Sequence, residues 1–290
     1  MVIKIKKLQI FLAVTVLLAV SMVIGISTDA ITVNSEQKDV TLLPILMYHQ
    51  ITREKNRVNK FTVTETELEE DLKYIVGRGY TTVTVEDLID FRKSGKKLPA
   101  KPLMISFDDG YETVYDILLP LLKKYELKAV AAVIGSAVDK FSQVEDHHIR
   151  YSHLNWEKVE LLVKSGYVEI QNHTYDMHKN TGCRKGVRRE KNENCEHYRE
   201  ALKTDLMRFQ DEMEEHTGYR PKAVVYPFGE YSKETPVILK ELGFEAALIC
   251  EEKINRLDIN NADEWIFRLG RFNRPGGMDT QEFFKKIEAN

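Results

Sequence analysis

Residues 105–110 read Ile105-Ser106-Phe107-Asp108-Asp109-Gly110, an apolar run that ends abruptly in two acids and a glycine. The run is short and follows Pro102, which is typical of a buried strand. Gly110 allows the tight turn with which a strand passes into a following helix. In a parallel sheet such acids would lie at the carboxyl edge, where α/β folds build their active sites. The alternative is that Asp108 and Asp109 only cap the next helix.

A second group of polar residues follows another candidate strand at 167–172, and it reads His173-Thr174-Tyr175-Asp176-Met177-His178. Two imidazoles and one carboxylate are the protein ligand set of a catalytic zinc site, which leaves one coordination position open. The histidines are too far apart for an i, i+4 pair on one helix face, so a loop must present them. Either histidine alone could be a surface or capping residue, but the pair matches the acid pair after the earlier strand.

Three motifs, taken in order, resemble those of the polysaccharide deacetylase family, also called the NodB-homology or carbohydrate esterase 4 family. They are Ser-Phe-Asp-Asp-Gly at 106–110, His-Thr-x-x-x-His at 173–178 and Tyr-Pro-Phe-Gly at 226–229. The resemblance covers roughly residues 42–275. The histidine spacing and Leu-Met-Tyr-His-Gln-Ile at 46–51 are similar to the branch that deacetylates poly-N-acetylglucosamine in biofilm exopolysaccharide systems.

This resemblance implies a metal centre and a general base. It assigns Asp109, His173 and His178 as ligands of a divalent metal, zinc being the expected ion, and Asp108 as the base. Such a metal polarises the amide carbonyl and acidifies the attacking water. A base beside a dication stays ionised, yet it can still take a proton from a water that the metal has acidified.

The amine that leaves during deacetylation needs a proton, and His49 is the predicted general acid. It also ends an apolar strand, and an imidazole titrates near neutral pH. Many family members carry this histidine near the C-terminus in a Leu-x-x-His motif, but residues 267–272 contain no histidine. The exopolysaccharide branch resembles the arrangement predicted here. A packing or substrate-binding role for His49 remains the alternative.

The third motif predicts substrate contacts. It resembles the family motif whose backbone N–H helps to hold the oxyanion and whose aromatic residue lines the sugar groove, so Tyr226, Pro227 and Phe228 are predicted to bind substrate. An ordinary Pro-Gly turn with a core aromatic is the alternative. Many relatives begin this motif with an arginine that pairs with the base, and none stands there in this chain. Arg268 or Arg271 could replace it, but the sequence leaves open whether either reaches the base.

The N-terminus is typical of an exported protein. Three lysines precede 19 uncharged residues at 8–26, which is just enough to span a bilayer. We predict a signal peptide or membrane anchor over 1–27, a linker over 28–41 and the deacetylase domain over 42–290. An uncleaved anchor is favoured, because no Ala-x-Ala site is evident. The protein is then expected on the extracellular side of the cell membrane, held there by this segment if it is uncleaved, or secreted, and in either case associated with the cell envelope.

Strand-like and helix-like patterns alternate along the soluble part of the chain, which favours a parallel sheet with right-handed crossovers. Strands are predicted near 43–48, 80–84, 102–107, 128–134, 167–172, 222–227, 244–249 and 264–269. Helices are predicted near 65–78, 86–93, 111–125, 155–164, 196–217 and 232–242. The fold class is therefore α/β. The pattern does not separate a barrel from an open sheet, whereas the family resemblance implies a distorted (β/α)7 barrel as a single catalytic domain.

Charge and cysteines limit the remaining possibilities. The formal net charge of −3 gives no electrostatic case for binding nucleic acid. Cys183 and Cys195 bracket a loop that a disulfide could close in an exported protein. A second zinc site of Cys183, Cys195 and His197 is the alternative, although it lacks a clear fourth ligand. Cys250 lies in an apolar run and is expected to be a buried small hydrophobe.

The leading hypothesis is a metal-dependent N-deacetylase that acts on a β-linked N-acetylglucosamine polymer. Poly-N-acetylglucosamine is the first choice of substrate and peptidoglycan the second. The alternative is a non-catalytic glycan-binding protein of the cell surface on the same fold, which the altered arginine position supports. A glycosidase that uses Asp108 and Asp109 would leave the histidine pair unexplained.

Overall fold

The computed structural model describes residues 40–180 and 184–289. Its strands are β1 (Thr41–Leu43), β2 (Ile45–Tyr48), β3 (Gln50–Thr52), β4 (Thr62–Thr64), β5 (Thr81–Thr82), β6 (Pro102–Phe107), β7 (Ala129–Val133), β8 (Val168–Asn172), β9 (Ala223–Val225), β10 (Ala246–Leu248), β11 (Asn255–Leu257) and β12 (Phe272–Asn273). Its α-helices are α1 (Glu65–Gly77), α2 (Val85–Ser94), α3 (Leu119–Tyr125), α4 (Gly135–Ser142), α5 (Trp156–Ser165), α6 (Cys195–Thr217), α7 (Thr235–Glu241), α8 (Ala262–Trp265) and α9 (Thr280–Glu288). A π-helical turn over Val114–Leu118 leads into α3.

The main sheet is parallel and curled into a half-barrel, with the strand order β10-β9-β8-β7-β6-β2-β12 and β5 beside the start of β6. At its centre Ile45 of β2 pairs with Met104 of β6, and Tyr48 pairs with Phe107. Two smaller pairs lie beside it: β1 runs antiparallel to β11, and β3 runs parallel to β4. The predicted α/β class and distorted (β/α)7 barrel are therefore confirmed.

The central strands are buried on both faces, as expected when helices cover a parallel sheet. Every residue of β6 and of β7 is buried. Alternate residues point to two different cores: Leu103 and Ile105 join one apolar cluster, while Met104 joins the other. Each large apolar side chain buried in this way contributes about 1.5–3 kcal/mol to stability. The strand ends are thus held on a rigid support.

Polar caps at the N-termini and left-handed residues at several C-termini set the helix boundaries. Thr64 and Glu67 form a capping box at α1, and Thr84 and Asp87 form one at α2. Such a cap is worth about 1 kcal/mol. Asparagines begin α5 and α6, and glycines in the left-handed conformation end both of these helices. These signals are local in sequence, which is why the predicted ranges for α1, α2, α5 and α6 agree with the structure to within one or two residues.

The predicted strand at 264–269 is wrong. Helix α8 occupies its first residues, a single bridge joins Leu269 to Leu248, and the last strand of the sheet is β12. The run was read as a strand because it is rich in aromatic and branched residues. Ile266 and Phe267 are both buried in the second core. The Ile266 N–H donates to the Ala262 carbonyl, which continues the helical turn of α8 rather than a strand.

The predicted signal or anchor at 1–27, and the linker at 28–41 apart from residues 40 and 41, lie outside the described residues. Among the helices that the structure describes, none has the length and apolarity needed to cross a bilayer. The described residues that follow Asp39 form one compact unit.

Candidate active site

Three strands of the main sheet deliver polar residues to the same edge. Asp108 and Asp109 follow β6, His173 follows β8, and His49 follows β2. Because the three strands are parallel within one sheet, their carboxyl ends lie on one side of the molecule. The predicted acids and imidazoles therefore line one cavity, although they are far apart in sequence.

This cavity has a volume of about 580 Å³, which lies within the range of ligand pockets. It is lined by Met47, His49, Gln50, Lys60, Phe61, Thr62, Asp108, Asp109, Tyr111, His173, His178, Phe228, Cys250, Glu252 and Asn273. Asp108 and His173 are its buried carboxylate and imidazole, and two exposed phenylalanines, Phe61 and Phe228, lie at its wall.

Asp109, His173 and His178 lie close enough together to hold a metal ion. One ligand atom from each lies within 4.8 Å of the others. The Asp109 Oδ1 atom is 3.5 Å from His173 Nε2 and 3.2 Å from His178 Nε2. In residues 40–180 and 184–289, no other set of three histidine, cysteine or acidic residues is grouped in this way.

The hydrogen bonds around this triad fit a divalent cation. His173 Nδ1 lies 2.7 Å from the carbonyl oxygen of Val225, so that Nδ1 carries the proton and Nε2 is free to ligate. Asp109 Oδ1 is buried and accepts no well-formed hydrogen bond from the described part of the chain. An orphaned buried carboxylate oxygen is costly, and a cation would satisfy it. Two imidazole nitrogens and one carboxylate oxygen match the ligand set of zinc.

Electrostatics keep Asp109 ionised. Burial raises the pKa of this carboxyl. Without a metal, hydrogen bonds and positive charge from protonated His173 and His178 more than offset that effect, and the net pKa is well below the usual value. A carboxylate that stays charged in a buried position can serve as a hard anionic ligand. The role of the three residues as metal ligands remains a prediction.

Asp108 is buried and is held by an ion pair with Arg271. The Arg271 Nη1 atom donates to Asp108 Oδ1 at 2.6 Å, and Nη2 donates to Oδ2 at 2.8 Å. Burial alone would raise the pKa of Asp108, but the Arg271 charge outweighs it and the net pKa is lowered. Of the two arginines left open by the sequence, Arg271 is the one that reaches this carboxylate. Sequence reasoning could not choose between them, because the choice depends on how the last strand docks.

His49 directly follows β2, and its ring packs against that of Phe61 with the ring centroids 4.8 Å apart. Burial lowers the pKa of His49, and the carboxylates of Asp108 and Asp109 only partly oppose that shift. Its Nδ1 atom is buried and has no hydrogen-bond partner among the described residues. The ring is therefore placed beside the carboxylates, largely neutral at pH 7, with one nitrogen free.

The third motif differs from the prediction in part. Tyr226 is fully buried, with its ring stacked on Tyr231 at 4.7 Å, and Pro227 is buried as well. Neither is among the described residues that line the cavity, so their predicted contact with substrate through the side chain is not what the structure has. Phe228 does line it, with 40% of its surface exposed and its ring 4.5 Å from that of His178.

The backbone of the same motif leaves one candidate donor. The Tyr226 N–H is used in the sheet, where it donates to the Leu248 carbonyl, and Pro227 has no N–H. The Gly229 N–H donates back to Tyr226. The Phe228 N–H is therefore the one in this motif without a backbone partner among the described residues, and Phe228 lines the cavity.

Three turns at the site have unusual backbone conformations. Of the non-glycine residues described, Asp109, Thr174 and Phe228 have positive φ angles of 71°, 72° and 59°, and only Glu126, at a helix end, shares this feature. Left-handed conformations cost about 1–3 kcal/mol at non-glycine residues and cluster at functional sites. Each turn directly follows a predicted site strand and redirects the chain at the cavity.

The cysteine predictions meet the structure only partly. Cys183, and with it the predicted disulfide to Cys195 and the alternative zinc site, lies outside the described residues. Cys250 is half-buried rather than a core residue: it lines the cavity, and its Sγ atom is 3.7 Å from Arg271 Nη2. It ends the apolar run just beyond β10, so it lies at the ligand-binding edge of the sheet.

The chain is similar to several known proteins. Residues 95–247, slightly more than half of the chain, match the family described as polysaccharide deacetylase. The chain is 26% identical over 224 residues to the poly-beta-1,6-N-acetyl-D-glucosamine N-deacetylase of Escherichia coli strain K12. This alignment covers 71% of this chain and 33% of that protein. The chain thus spans about a third of the length of the Escherichia coli relatives that it matches.

Solved structures share the fold. One is IcaB from Ammonifex degensii, with 25% identity and a TM-score of 0.65, covering 80% of this chain and 91% of that one. Another is a de-N-acetylase from Aggregatibacter actinomycetemcomitans, with 23% identity and a TM-score of 0.69, covering 85% of this chain and 99% of that one.

Proposed function

Because the chain belongs to the polysaccharide deacetylase family, we propose that it is a metal-dependent carbohydrate N-deacetylase, a hydrolase that releases acetate from an N-acetylglucosamine polymer. The observation that carries this proposal is the grouping of Asp109, His173 and His178 beside the ion-paired Asp108 in one cavity. Such a set serves the hydrolysis of an amide, which needs a polarised carbonyl, an activated water and a proton for the leaving amine.

Asp109, His173 and His178 would hold the metal. A divalent cation at that position supplies Lewis acidity, which polarises the carbonyl and lowers the pKa of a water molecule to about 7. Zinc is our choice of ion, because imidazole nitrogen with a carboxylate oxygen suits it and three protein ligands leave room for substrate. The Val225 carbonyl orients His173, as an outer hydrogen bond orients a ligand in metal sites generally.

Asp108 acts as the general base in this proposal. Arg271 keeps it ionised and fixes its plane, and a carboxylate retains lone pairs beyond the two that the guanidinium occupies. A carboxylate with a lowered pKa is a weak base. It can take a proton efficiently only from a water whose own pKa has fallen, which is why base and metal must work together.

His49 and Phe228 complete the arrangement. The Phe228 N–H would donate to the oxyanion that develops on the carbonyl oxygen, a contribution of about 3 kcal/mol in comparable sites. His49 gives a proton to the departing amine. Because burial favours its neutral form, His49 must gain that proton during the reaction, so it acts after the base step.

Poly-N-acetylglucosamine is the proposed substrate, with peptidoglycan second. The relative from Escherichia coli strain K12 is named for deacetylating the β-1,6-linked polymer, and the histidine spacing agrees with that branch. The proposed place of action is the cell envelope, on the outer side of the membrane or secreted, with the N-terminal segment as an anchor if it is uncleaved. Each turnover creates a cationic amine, so the product should adhere better to anionic surfaces.

The test is acetate release from β-1,6-linked N-acetylglucosamine oligomers by the full-length chain. We expect activity that is lost on chelation, is restored by zinc and is absent in Asp108→Asn. Peptidoglycan fragments assayed in parallel decide between the two substrates. A folded, zinc-loaded protein that releases no acetate from either glycan would contradict the proposal.

The alternative of a non-catalytic glycan-binding protein rested on the missing motif arginine. Arg271 now provides the ion pair to Asp108, so that argument is gone. No other observation on the described residues favours it. Glycan binding without acetate release in the same assay would restore it.

A further inference from the structure

Phe61 is an exposed aromatic residue on the wall of the cavity. Its side chain is 46% exposed, it lines the cavity, and its ring packs at an angle against His49. Single exposed apolar residues are common on protein surfaces and need no explanation by themselves. An exposed ring beside the proposed acid, in a cavity of ligand size, calls for one.

The backbone around Phe61 is held in place by three hydrogen bonds. The Gln50 N–H donates to the Phe61 carbonyl at 3.1 Å, and the Phe61 N–H donates to Asn59 Oδ1 at 2.8 Å. Asn273 Nδ2 donates to the Lys60 carbonyl at 3.0 Å. The ring is therefore presented by a fixed support, which reduces the entropy that a bound ligand would have to overcome.

Asn273 adds a polar group on the same wall. While its amide nitrogen holds Lys60, its Oδ1 atom is buried and has no hydrogen-bond partner among the described residues. Buried acceptors are normally satisfied, so this oxygen can accept a hydrogen bond from a ligand. The wall thus offers an aromatic face and one free acceptor side by side.

A β-linked N-acetylglucosamine ring matches this pair of features. Its substituents are equatorial, so each face of the ring presents C–H groups, while its edges carry hydroxyl and amide N–H donors. An aromatic side chain supplies a large apolar surface at low entropic cost. Phe61 complements the apolar face of the sugar ring, and Asn273 Oδ1 complements a donor at its edge.

We propose, building on the function proposed above, that Phe61 is the platform on which the sugar ring next to the reacting residue stacks, with Asn273 Oδ1 accepting a hydrogen bond from it. The reacting sugar lies between His49 and His178, and Phe228 flanks its other side. This arrangement makes the enzyme selective for chains over single sugars. Neither residue belongs to the three motifs found in the sequence.

The test compares Phe61→Ala, Phe61→Leu and Phe61→Trp in the full-length chain on β-1,6-linked N-acetylglucosamine oligomers of one to five residues. We expect kcat/KM on the pentamer to fall about tenfold in the alanine and leucine variants, mainly through KM, and to be retained in the tryptophan variant. Activity on the monosaccharide should not change. Val237→Ala removes an apolar side chain of comparable exposure that does not line the cavity, and it should match the wild type.

Binding measured without turnover separates this inference from the proposed function. In an Asp108→Asn background, calorimetry should show that Phe61→Ala weakens pentamer binding about tenfold and leaves monosaccharide binding unchanged. Equal pentamer affinity with and without Phe61→Ala would overturn the platform even if the wild type releases acetate. Equal losses on pentamer and monosaccharide would also overturn it, because Phe61 would then act through His49. If the Asp108→Asn variant binds the pentamer no better than the monosaccharide, the platform is overturned, whereas acetate release by the wild type decides the proposed function separately.

Discussion

His49 illustrates how one residue's surroundings decide its chemistry. Its pKa is lowered because burial disfavours the charged imidazole, and the neighbouring carboxylates do not fully compensate. A permanently protonated acid is thus not what the cavity provides. In the proposed mechanism Asp108 takes a proton from the attacking water, and the free nitrogen of His49 takes up a proton before His49 passes one to the amine, so the two residues act in that order.

We predict that His49→Asn separates amide hydrolysis from ester hydrolysis. Loss of a general acid typically lowers kcat by about 10² to 10⁴ when the leaving group needs a proton, as an amine does. An activated aryl acetate expels a stable phenolate and needs none, so its hydrolysis should be nearly unchanged. The measurement is kcat on an N-acetylglucosamine oligomer and on the aryl ester.

Asp108→Asn is the matched control for this experiment, because both substrates need an activated water and should both lose activity. Equal losses of the two activities in His49→Asn would show that His49 does not act as the acid. Unchanged zinc content in both variants would exclude an indirect effect through the metal.

At this scale the sequence predicted the placement of some site residues at one edge of the sheet and left that of others open; their roles stay predictions. His49, Asp108 and His173 were identifiable because each follows a short apolar run that predicts a strand. The carboxyl ends of parallel strands lie at the same edge of a sheet, so the three residues were expected to lie close together. Arg271 could not be chosen over Arg268, since its reach depends on tertiary docking. The side chain of Tyr226 was wrongly expected to contact substrate, because the sequence does not show toward which side of the sheet this first residue of its motif points.

The turns that follow the strands position the predicted site residues at the cavity. Asp109 and Gly110 both adopt left-handed conformations directly after β6, with φ angles of 71° and 72°. This pair of residues turns the chain away from the sheet, while Asp109 remains beside the histidines. The backbone strain is supported by β6, whose residues are all buried.

Gly110→Ala should be more destabilising than Gly79→Ala. Both glycines have nearly the same φ, but a Cβ atom at Gly110 would approach the Val133 side chain to 3.0 Å, whereas one at Gly79 meets nothing within 4 Å. Gly79→Ala should cost about 1 kcal/mol from the backbone alone. Gly110→Ala should cost about 1–3 kcal/mol more, because Val133 lies in the packed core.

Urea denaturation of both variants measures this difference in unfolding free energy. Acetate release should fall only for Gly110→Ala, since only that turn carries a predicted ligand. Equal destabilisation of the two variants would mean that the contact with Val133 has no energetic role.

The helix and strand predictions succeeded and failed for a related reason. Capped helices such as α1 and α5 carry their boundaries in local residues, and they were predicted closely. The run at 264–269 lacks a capping residue that would mark its boundaries, and its apolar residues are buried in the second core. Its conformation was therefore decided by tertiary contacts.

For the whole molecule, the metal should couple the site to global stability. A ligand that binds only the folded state at 100 times its Kd adds about 2.7 kcal/mol. For a domain of this size, that corresponds to a rise of about 5–10 °C in the midpoint of thermal unfolding. We predict that zinc added to the metal-free protein at pH 7.5 raises the midpoint of thermal unfolding by this amount. Scanning calorimetry measures the midpoint with and without zinc.

The same titration on His178→Ala should give little or no shift, because one ligand of the triad is missing. The shift should shrink at acidic pH, where imidazole ligands are protonated. An identical shift in the wild type and the variant would place the zinc elsewhere.

Arg271 connects the site with the architecture of the half-barrel. The sheet ends at β10 on one side and at β12 on the other. Arg271 immediately precedes β12, and its Nε atom donates to the Ile249 carbonyl beyond β10 at 3.0 Å, while its backbone N–H donates to the Glu251 carbonyl. One side chain thus joins the two edges of the sheet and holds the proposed base.

A double-mutant cycle can separate these two contributions of Arg271. Arg271→Met leaves the Asp108 carboxylate buried and unpaired, which should lower the unfolding free energy by about 3–5 kcal/mol. Asp108→Asn removes that charge, so the double variant should be more stable than the sum of the two single losses predicts, by about 1–3 kcal/mol. The loss that Asp108→Asn does not recover measures the side-chain contact to the Ile249 carbonyl across the gap, because the methionine variant keeps the backbone N–H that donates to Glu251. Strictly additive losses in urea denaturation would mean that the ion pair does not stabilise the fold, and that Arg271 contributes through closure of the sheet alone.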